Sequence, residues 1–229
     1  MNESRIPVLV GGGQLTDHSD PEHGATPVAL MVEAARSAAD DAGPGDTLLQ
    51  AIDAMVAVGL VVDSPDNQST AKGMYRNPPQ TVCNLLGIDP PHKRYTHVGG
   101  NTPQMLVGRY AKAIAAGEAS AVLLTGAEAL ATMIGRLKKG LPLDEGWSDD
   151  PGGEPVMVGD PRGPTTQEET RYGLGVPANS YPLFENALRG KYGWSLDVHR
   201  QRMGELFARF NAVAVDNPLS WFPTARSAE

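Results

Sequence analysis

The chain has a single cysteine, Cys83, among its 229 residues. No disulfide framework can form within it, and cysteine-based metal ligation has no basis. A lone thiol fits a reducing compartment, and the expected location is cytoplasmic. Positive charge is scarce: 19 Lys and Arg face 27 Asp and Glu, a net charge of −8. The chain therefore lacks the basic footprint of nucleic-acid binding or of docking on an anionic membrane. No apolar run approaches the roughly 18 residues of a membrane span. The N-terminus is polar, then apolar over a strand's length, without the basic n-region of a signal peptide. No internal repeat or low-complexity tract is present.

What is present is an ordinary globular composition, 41% hydrophobic and 20% charged, with turn residues between short apolar segments. Ile6 to Val10 reads as a buried strand leaving into Gly11-Gly12-Gly13. Thr26 caps a helix with Pro27 at its first position, and Leu30, Met31, Ala34, Ala35 and Ala38 share one face. Ile52 to Val58 is a strand candidate. Asn77-Pro78-Pro79 opens a short helix that turns Val82, Leu85 and Leu86 inward and stops at Gly87. Tyr95 to Val98 and Ala121 to Thr125 read as strands flanking a helix from Thr102-Pro103 to Gly117, in which Leu106, Tyr110, Ala113 and Ile114 share a face.

Strand–helix–strand order with a crossover helix predicts parallel strands and an α/β layered fold. Two regions are expected: residues 1–132 as the N-terminal α/β domain, and 133–229 as a loop and helical region. Within the latter, residues 138–180 are rich in Gly, Pro and charge and read as an insertion, either lid or mobile loop. Trp147, among Asp144, Glu145, Asp149 and Asp150, reads as a surface excursion rather than a lid over a pocket. Helices follow over residues 181–191 and from about Leu196 to Val215. Met203, Leu206, Phe207, Phe210, Val213 and Ala214 form one stripe of the second. The chain then stops without a terminating element, and the expectation is a natural product that continues past Glu229.

Several motifs carry chemistry only in the wrong context. Gly11-Gly12-Gly13 follows a strand, but a dinucleotide site needs a helix to begin at once, and here it begins near residue 27. Asp17, His18, Asp20, Glu22 and His23 are metal-ligating types on a loop with no rigid element to fix them, so no metal is expected. Cys83 lies at helical spacing beside Val82 and Leu86 and reads as a buried, inert thiol. His199, beside Arg200 and Arg202, reads as solvent-facing. The informative segment is His97 to Gln104, HVGGNTPQ. It leaves a strand's carboxyl end, where α/β sheets bind ligands, and enters a helix whose free N–H groups favour an anion or oxyanion. The alternative is a tight strand-to-helix turn that needs two glycines.

These segments resemble the thiolase superfamily, and within it the sterol-carrier-protein-2-type thiolases. PVLVGGGQLT is similar to that family's first strand and turn. HVGGNTPQMLVGRYAKAIAAGEASAVLLTGAEALA is similar to its nucleophile turn, helix and strand ending in Gly-x-Glu, here Gly126-Ala127-Glu128. YPLFENALRGKYGWSLDVHRQRMGELFARFNAVAVDNPLSW resembles its loop region ending in Asn-Pro, here Asn217-Pro218. The family carries Cys-x-Ser-Gly at the turn. The corresponding residues here are Gly99, Asn101 and Thr102, so covalent thioester transfer is not expected.

The resemblance implies a thiolase-like layered fold, its N-terminal βαβαβ half with a mostly parallel sheet plus a loop and helical region. It implies an acetyl-CoA acetyltransferase-type protein of lipid metabolism whose substrate or ligand is CoA or an acyl-CoA thioester, with no other cofactor. The corresponding pocket is His97, Gly99, Gly100 and Asn101. The family's remaining catalytic groups lie in a C-terminal half, so that half, a partner subunit or an oligomer is the expected partner. The alternative role is a non-catalytic scaffold for an active thiolase or a lipid-binding protein.

Overall fold

The computed structural model describes residues 5–64, 73–143, 146–163 and 165–228. They divide into two compact units, one up to Arg162 and one from Gly163 onward.

The first unit is a sheet with helices on both faces. Helix α1, Pro27–Asp41, starts where predicted: the Thr26 hydroxyl accepts from the Ala29 N–H at 3.2 Å, satisfying one orphan donor of the first turn. It buries Val28, Met31 and Ala35, and turns the half-buried Ala34 and Ala38 to the side. After the short α2, Asp46–Gln50, comes β1, Ala54–Ala57, which is buried at every position. Helix α3, Pro78–Leu86, ends at Gly87 in the left-handed region (φ 69°), as a glycine stop should. Pro79, Val82, Cys83 and Leu86 face inward, but Leu85 points to solvent, because a nine-residue helix has only one buried stripe. Strand β2, His92–Thr96, lies earlier than expected. Helix α4, Thr102–Ala116, and β3, Val122–Thr125, follow the prediction closely.

Among the described residues the sheet has four parallel strands in the order β3-β1-β2-β4, where β4 is Val156–Val158. Its central position explains why β1 is a continuous apolar run: both faces are covered. On one face, Met55, Ala57, Tyr95 and Leu123 pack against α1 and α3. On the other, Val56 and Val158 pack with Leu106 of α4.

The structure departs from the sequence reading in several places. Ile6 to Val10 pairs with no strand among the described residues, and Val8 and Leu9 are 69% and 87% exposed. The glycines that follow it lie against α1 instead. A β-carbon on Gly11 would fall 2.2 Å from the Ala38 carbonyl oxygen, and one on Gly13 would fall 2.0 Å from that of Ala34. Glycine at these two positions lets backbone rest on backbone.

The other departures concern the Gly/Pro-rich stretch. After α5, Leu130–Lys138, it supplies β4, Val156–Val158, which pairs with β2. Trp147 is 3% exposed and packs with Leu30 and Ala129, so this side chain is an anchor rather than a surface excursion. The Asp149 carboxylate accepts from the Thr81 hydroxyl at 2.8 Å, and Tyr75 donates to the Gly146 carbonyl. Asp144 and Glu145 lie outside the described residues.

The second unit holds α6, Gln167–Arg171, α7, Pro177–Tyr192, and α8, Leu196–Ala214. His199 is buried, not solvent-facing: its Nε2 lies 3.1 Å from Glu185 Oε2, and its ring stacks on Trp194. The expected stripe on α8 exists, but Phe207, Phe210 and Val213 are exposed. Among the described residues, no helix is long and apolar enough to cross a membrane.

Truncating the Trp147 anchor tests the docked path of this stretch. Trp147→Ala should lower unfolding free energy by about 3–5 kcal/mol in urea denaturation, the range for deleting a buried aromatic. A loss below about 0.5 kcal/mol would show that the side chain is solvated.

Candidate functional site

The carboxyl ends of β1 and β2 are tied together by a small hydrogen-bonded assembly. Gly59, just past β1, lies so close to β2 that a β-carbon on it would sit 2.4 Å from the Thr96 carbonyl oxygen. Its N–H donates to the Thr96 hydroxyl at 2.8 Å. The next N–H, Leu60, donates to the Tyr95 hydroxyl at 2.9 Å, and that hydroxyl donates in turn to Asp63 at 2.6 Å. Burial, then the Asp63 charge, pushes the Tyr95 hydroxyl far above its ordinary pKa, so it remains a donor at any physiological pH. The Val61 N–H donates to Glu128 Oε1 at 2.7 Å. Desolvation raises the Glu128 pKa above the usual carboxylate range, against the lowering effect of that N–H.

Beside this assembly, the chain leaves β2 and turns into α4. The His97 N–H donates to the Val158 carbonyl at 3.1 Å, so β4 holds the start of the turn. The Thr102 N–H closes it on the Gly99 carbonyl at 3.0 Å, and the Thr102 hydroxyl reaches the His97 carbonyl at 3.4 Å. Asn101 precedes the helix without capping it, and its carboxamide has no hydrogen-bond partner among the described residues. The four residues singled out in the sequence, His97, Gly99, Gly100 and Asn101, thus form one continuous turn at the amino end of a 15-residue helix.

Neither glycine of this turn is demanded by backbone conformation, since neither has a positive φ. A β-carbon on Gly100 would meet nothing within 4 Å. One on Gly99 would lie 2.9 Å from the hydroxyl oxygen of Thr102, a buried side chain held on the His97 carbonyl, and 3.2 Å from Asn101 Oδ1. The turn therefore does not need glycine at position 100, whereas a side chain at 99 would crowd Thr102. What Gly99 provides is the absence of a side chain where the resemblance places a nucleophile.

The chain's only thiol does not replace it. Cys83 lies on α3 with no exposed surface, in the cluster on the face of the sheet opposite α4. Desolvation pushes its pKa up to about 11, which keeps it a neutral thiol.

Sequence reasoning missed what β4 brings to the turn. Gly159 and Asp160 follow the strand. The Arg162 guanidinium, hydrogen-bonded to Asp160, holds that carboxyl down at about 2, and the His97 charge acts in the same direction. Three strand residues within a Gly/Pro-rich stretch leave too little periodicity to read. The acidic and histidine loop has a structural use: Asp17 accepts from the Ser19 and Ala25 N–H groups, and Glu22 pairs with Lys139. Among the described residues, no group of three or more His, Cys, Asp or Glu could hold a metal ion.

Two variants test this geometry. Tyr95→Phe leaves the buried Leu60 N–H without its acceptor and should cost about 1–3 kcal/mol of unfolding free energy. An unchanged urea midpoint would remove the hydroxyl from its linking role. Native Cys83 should not react with a thiol-specific disulfide reagent at pH 8, and should react fully once the chain is unfolded. Because its folded pKa is about 11 against 9.0, the unfolded chain loses the proton first, so this group's contribution to stability falls as pH rises from 9 to 11.

No protein-family model matches the chain, and no functionally curated protein does. A solved structure does: a monomeric SCP2-thiolase-like protein type 1 from Mycobacterium smegmatis, 32% identical, with a TM-score of 0.70. The match covers 98% of this chain and 38% of that one, so the chain spans well under half the length of the solved relative. With four parallel strands layered between helices and nearly its whole length aligned to that relative, the chain has an SCP2-thiolase-like fold.

Proposed function

We propose that the chain is a thiolase-like acyl-CoA protein of the acetyl-CoA acetyltransferase type that holds its thioester at the turn 97–101 without attaching to it. The observation that carries this reading is Gly99. A glycine offers no atom to accept an acyl group, and Cys83 is buried on the other face of the sheet. The space around Gly100 and the unengaged carboxamide of Asn101 leave room and a donor for a thioester carbonyl. The amino end of α4 adds a partial positive charge on the same side. In this reading His97, at the start of the turn, would also face the thioester. The chemistry open to such a site is binding, or transfer between two bound partners with no acyl-enzyme. No cofactor beyond the CoA thioester is invoked, and the protein acts in lipid metabolism in the cytoplasm.

The second unit favours a companion role as well. Phe184, Phe207, Phe210 and Phe222 are each more than 60% exposed, an apolar display of the kind that marks protein contact. A C-terminal half, a partner subunit or a second copy would cover it, and a non-catalytic scaffold for an active thiolase or a lipid-binding protein is the alternative function.

Incubation with acetyl-CoA, followed by intact mass and a free-thiol assay, tests the main reading. The expected outcome is no acetyl adduct and no released CoA, together with saturable CoA binding by calorimetry. Asn101→Leu should weaken that binding by about two- to tenfold, one hydrogen bond's worth. An acetyl adduct would overturn the non-covalent reading. Absence of binding would leave the scaffold.

A further inference from the structure

Cations are scarce in this chain, and several in the first unit are spent on carboxylates. Arg36 pairs with Asp46, Arg76 with Glu154, Lys93 with Asp89, Lys139 with Glu22 and Arg162 with Asp160. Arg94, Arg109 and Lys112 pair with no carboxylate among the described residues. The Arg94 guanidinium donates at 3.1 Å to the Lys93 carbonyl, a neutral acceptor.

These three cations line one groove of about 790 Å³ between β2 and α4. Strand alternation explains the first wall. Strand β2 sends Tyr95 into the cluster under α1 and α3, so Arg94 and His92 turn to the α4 face. On the second wall, Arg109 and Lys112 are three residues apart on α4, which makes them neighbours on one helix face. Tyr110 is under the influence of both walls. Burial pushes its hydroxyl above the ordinary pKa, while Arg109 of one wall and Arg94 of the other pull it back. Among the lining residues Glu118 is the one carboxylate. Three like charges gathered on a strand and a helix repel one another, and that cost is relieved when an anion joins them.

We propose that this groove binds a nucleoside diphosphate, with its phosphates held by Arg94, Arg109 and Lys112. Guanidinium groups take phosphate oxygens two at a time, and a diphosphate carries enough negative charge to balance three cations. The groove is larger than the phosphates alone require, and its volume falls in the range of roughly 300–1,000 Å³ typical of small-molecule sites. Met105, Ala113 and Ala116 supply the apolar surface on which the nucleoside would lie. Gly108 keeps the middle open, since even a β-carbon there would meet nothing within 4 Å. An acidic peptide would present its carboxylates at residue spacing along one line. These cations instead come from two elements and converge across one groove.

A nucleoside diphosphate occurs free and as the phosphorylated end of CoA, and the groove recognises the same chemistry in both. It shares no residue with the turn 97–101, so this site and the thioester site can fail separately.

The test is calorimetric titration of the whole chain with ADP. Binding should saturate at one site. Arg94→Ala and Arg109→Ala should each weaken it by about tenfold or more, as the loss of a charged hydrogen-bond donor does. Asn101→Leu should leave ADP binding unchanged. Urea midpoints equal to that of the parent chain would exclude a folding defect in the variants. CoA affinity that falls in the same two arginine variants would identify CoA as the source, and CoA affinity that does not would identify a free nucleotide. No ADP binding, or ADP binding that survives both arginine variants, would overturn the proposal. Tighter binding of a hexaglutamate peptide than of ADP would also overturn it, in favour of an acidic polypeptide.

Discussion

The contact between Gly59 and the Thr96 carbonyl governs the carboxyl end of this sheet. Any β-carbon at position 59 would stand 2.4 Å from that oxygen, so the contact admits only glycine. It draws the carboxyl ends of β1 and β2 into one rigid edge. Thr96 and Tyr95 then satisfy the two N–H groups that leave β1. From that edge, one chain runs through Val61 to Glu128 and the other through His97 into α4. Where the turn at Gly99 sits follows from this clamp, and from β4 holding the His97 N–H.

Unpaired backbone is the complementary theme. A sheet edge that stays unpaired beneath covering helices is costly, because its N–H and C=O groups lose water without gaining partners. Among the described residues, the outer edge of β3 is such an edge. The exposed aromatic side chains of α7 and α8 are the side-chain counterpart in the second unit. Both features belong to a chain whose solved relative is much longer.

Much of the architecture could be read beforehand. The Thr26-Pro27 start, the Gly87 and Gly117 stops and the α4–β3 succession were written in local chemistry, and each formed as read. The likeness to thiolases was legible from the order of short motifs, each modest alone. Failures came where a contact distant in sequence decided the outcome. Ile6 to Val10 has every local property of a strand but no adjacent edge to pair with. Val156 to Val158 is too short to show a period, yet pairs because β2 offers an open edge beside it. Trp147 and His199 looked like surface residues by their polar neighbours, and both are buried.

The candidate turn divides along the same line. That residues 97–101 link a strand to a helix was determined by the sequence alone, since it depends on residue identity and near neighbours. Whether those glycines were required by the backbone, whether Cys83 could reach the turn, and which segment braces His97 were decided only by tertiary structure. Those answers rest on φ angles, on burial and on a strand about 60 residues away, and pairing across that separation leaves no local trace.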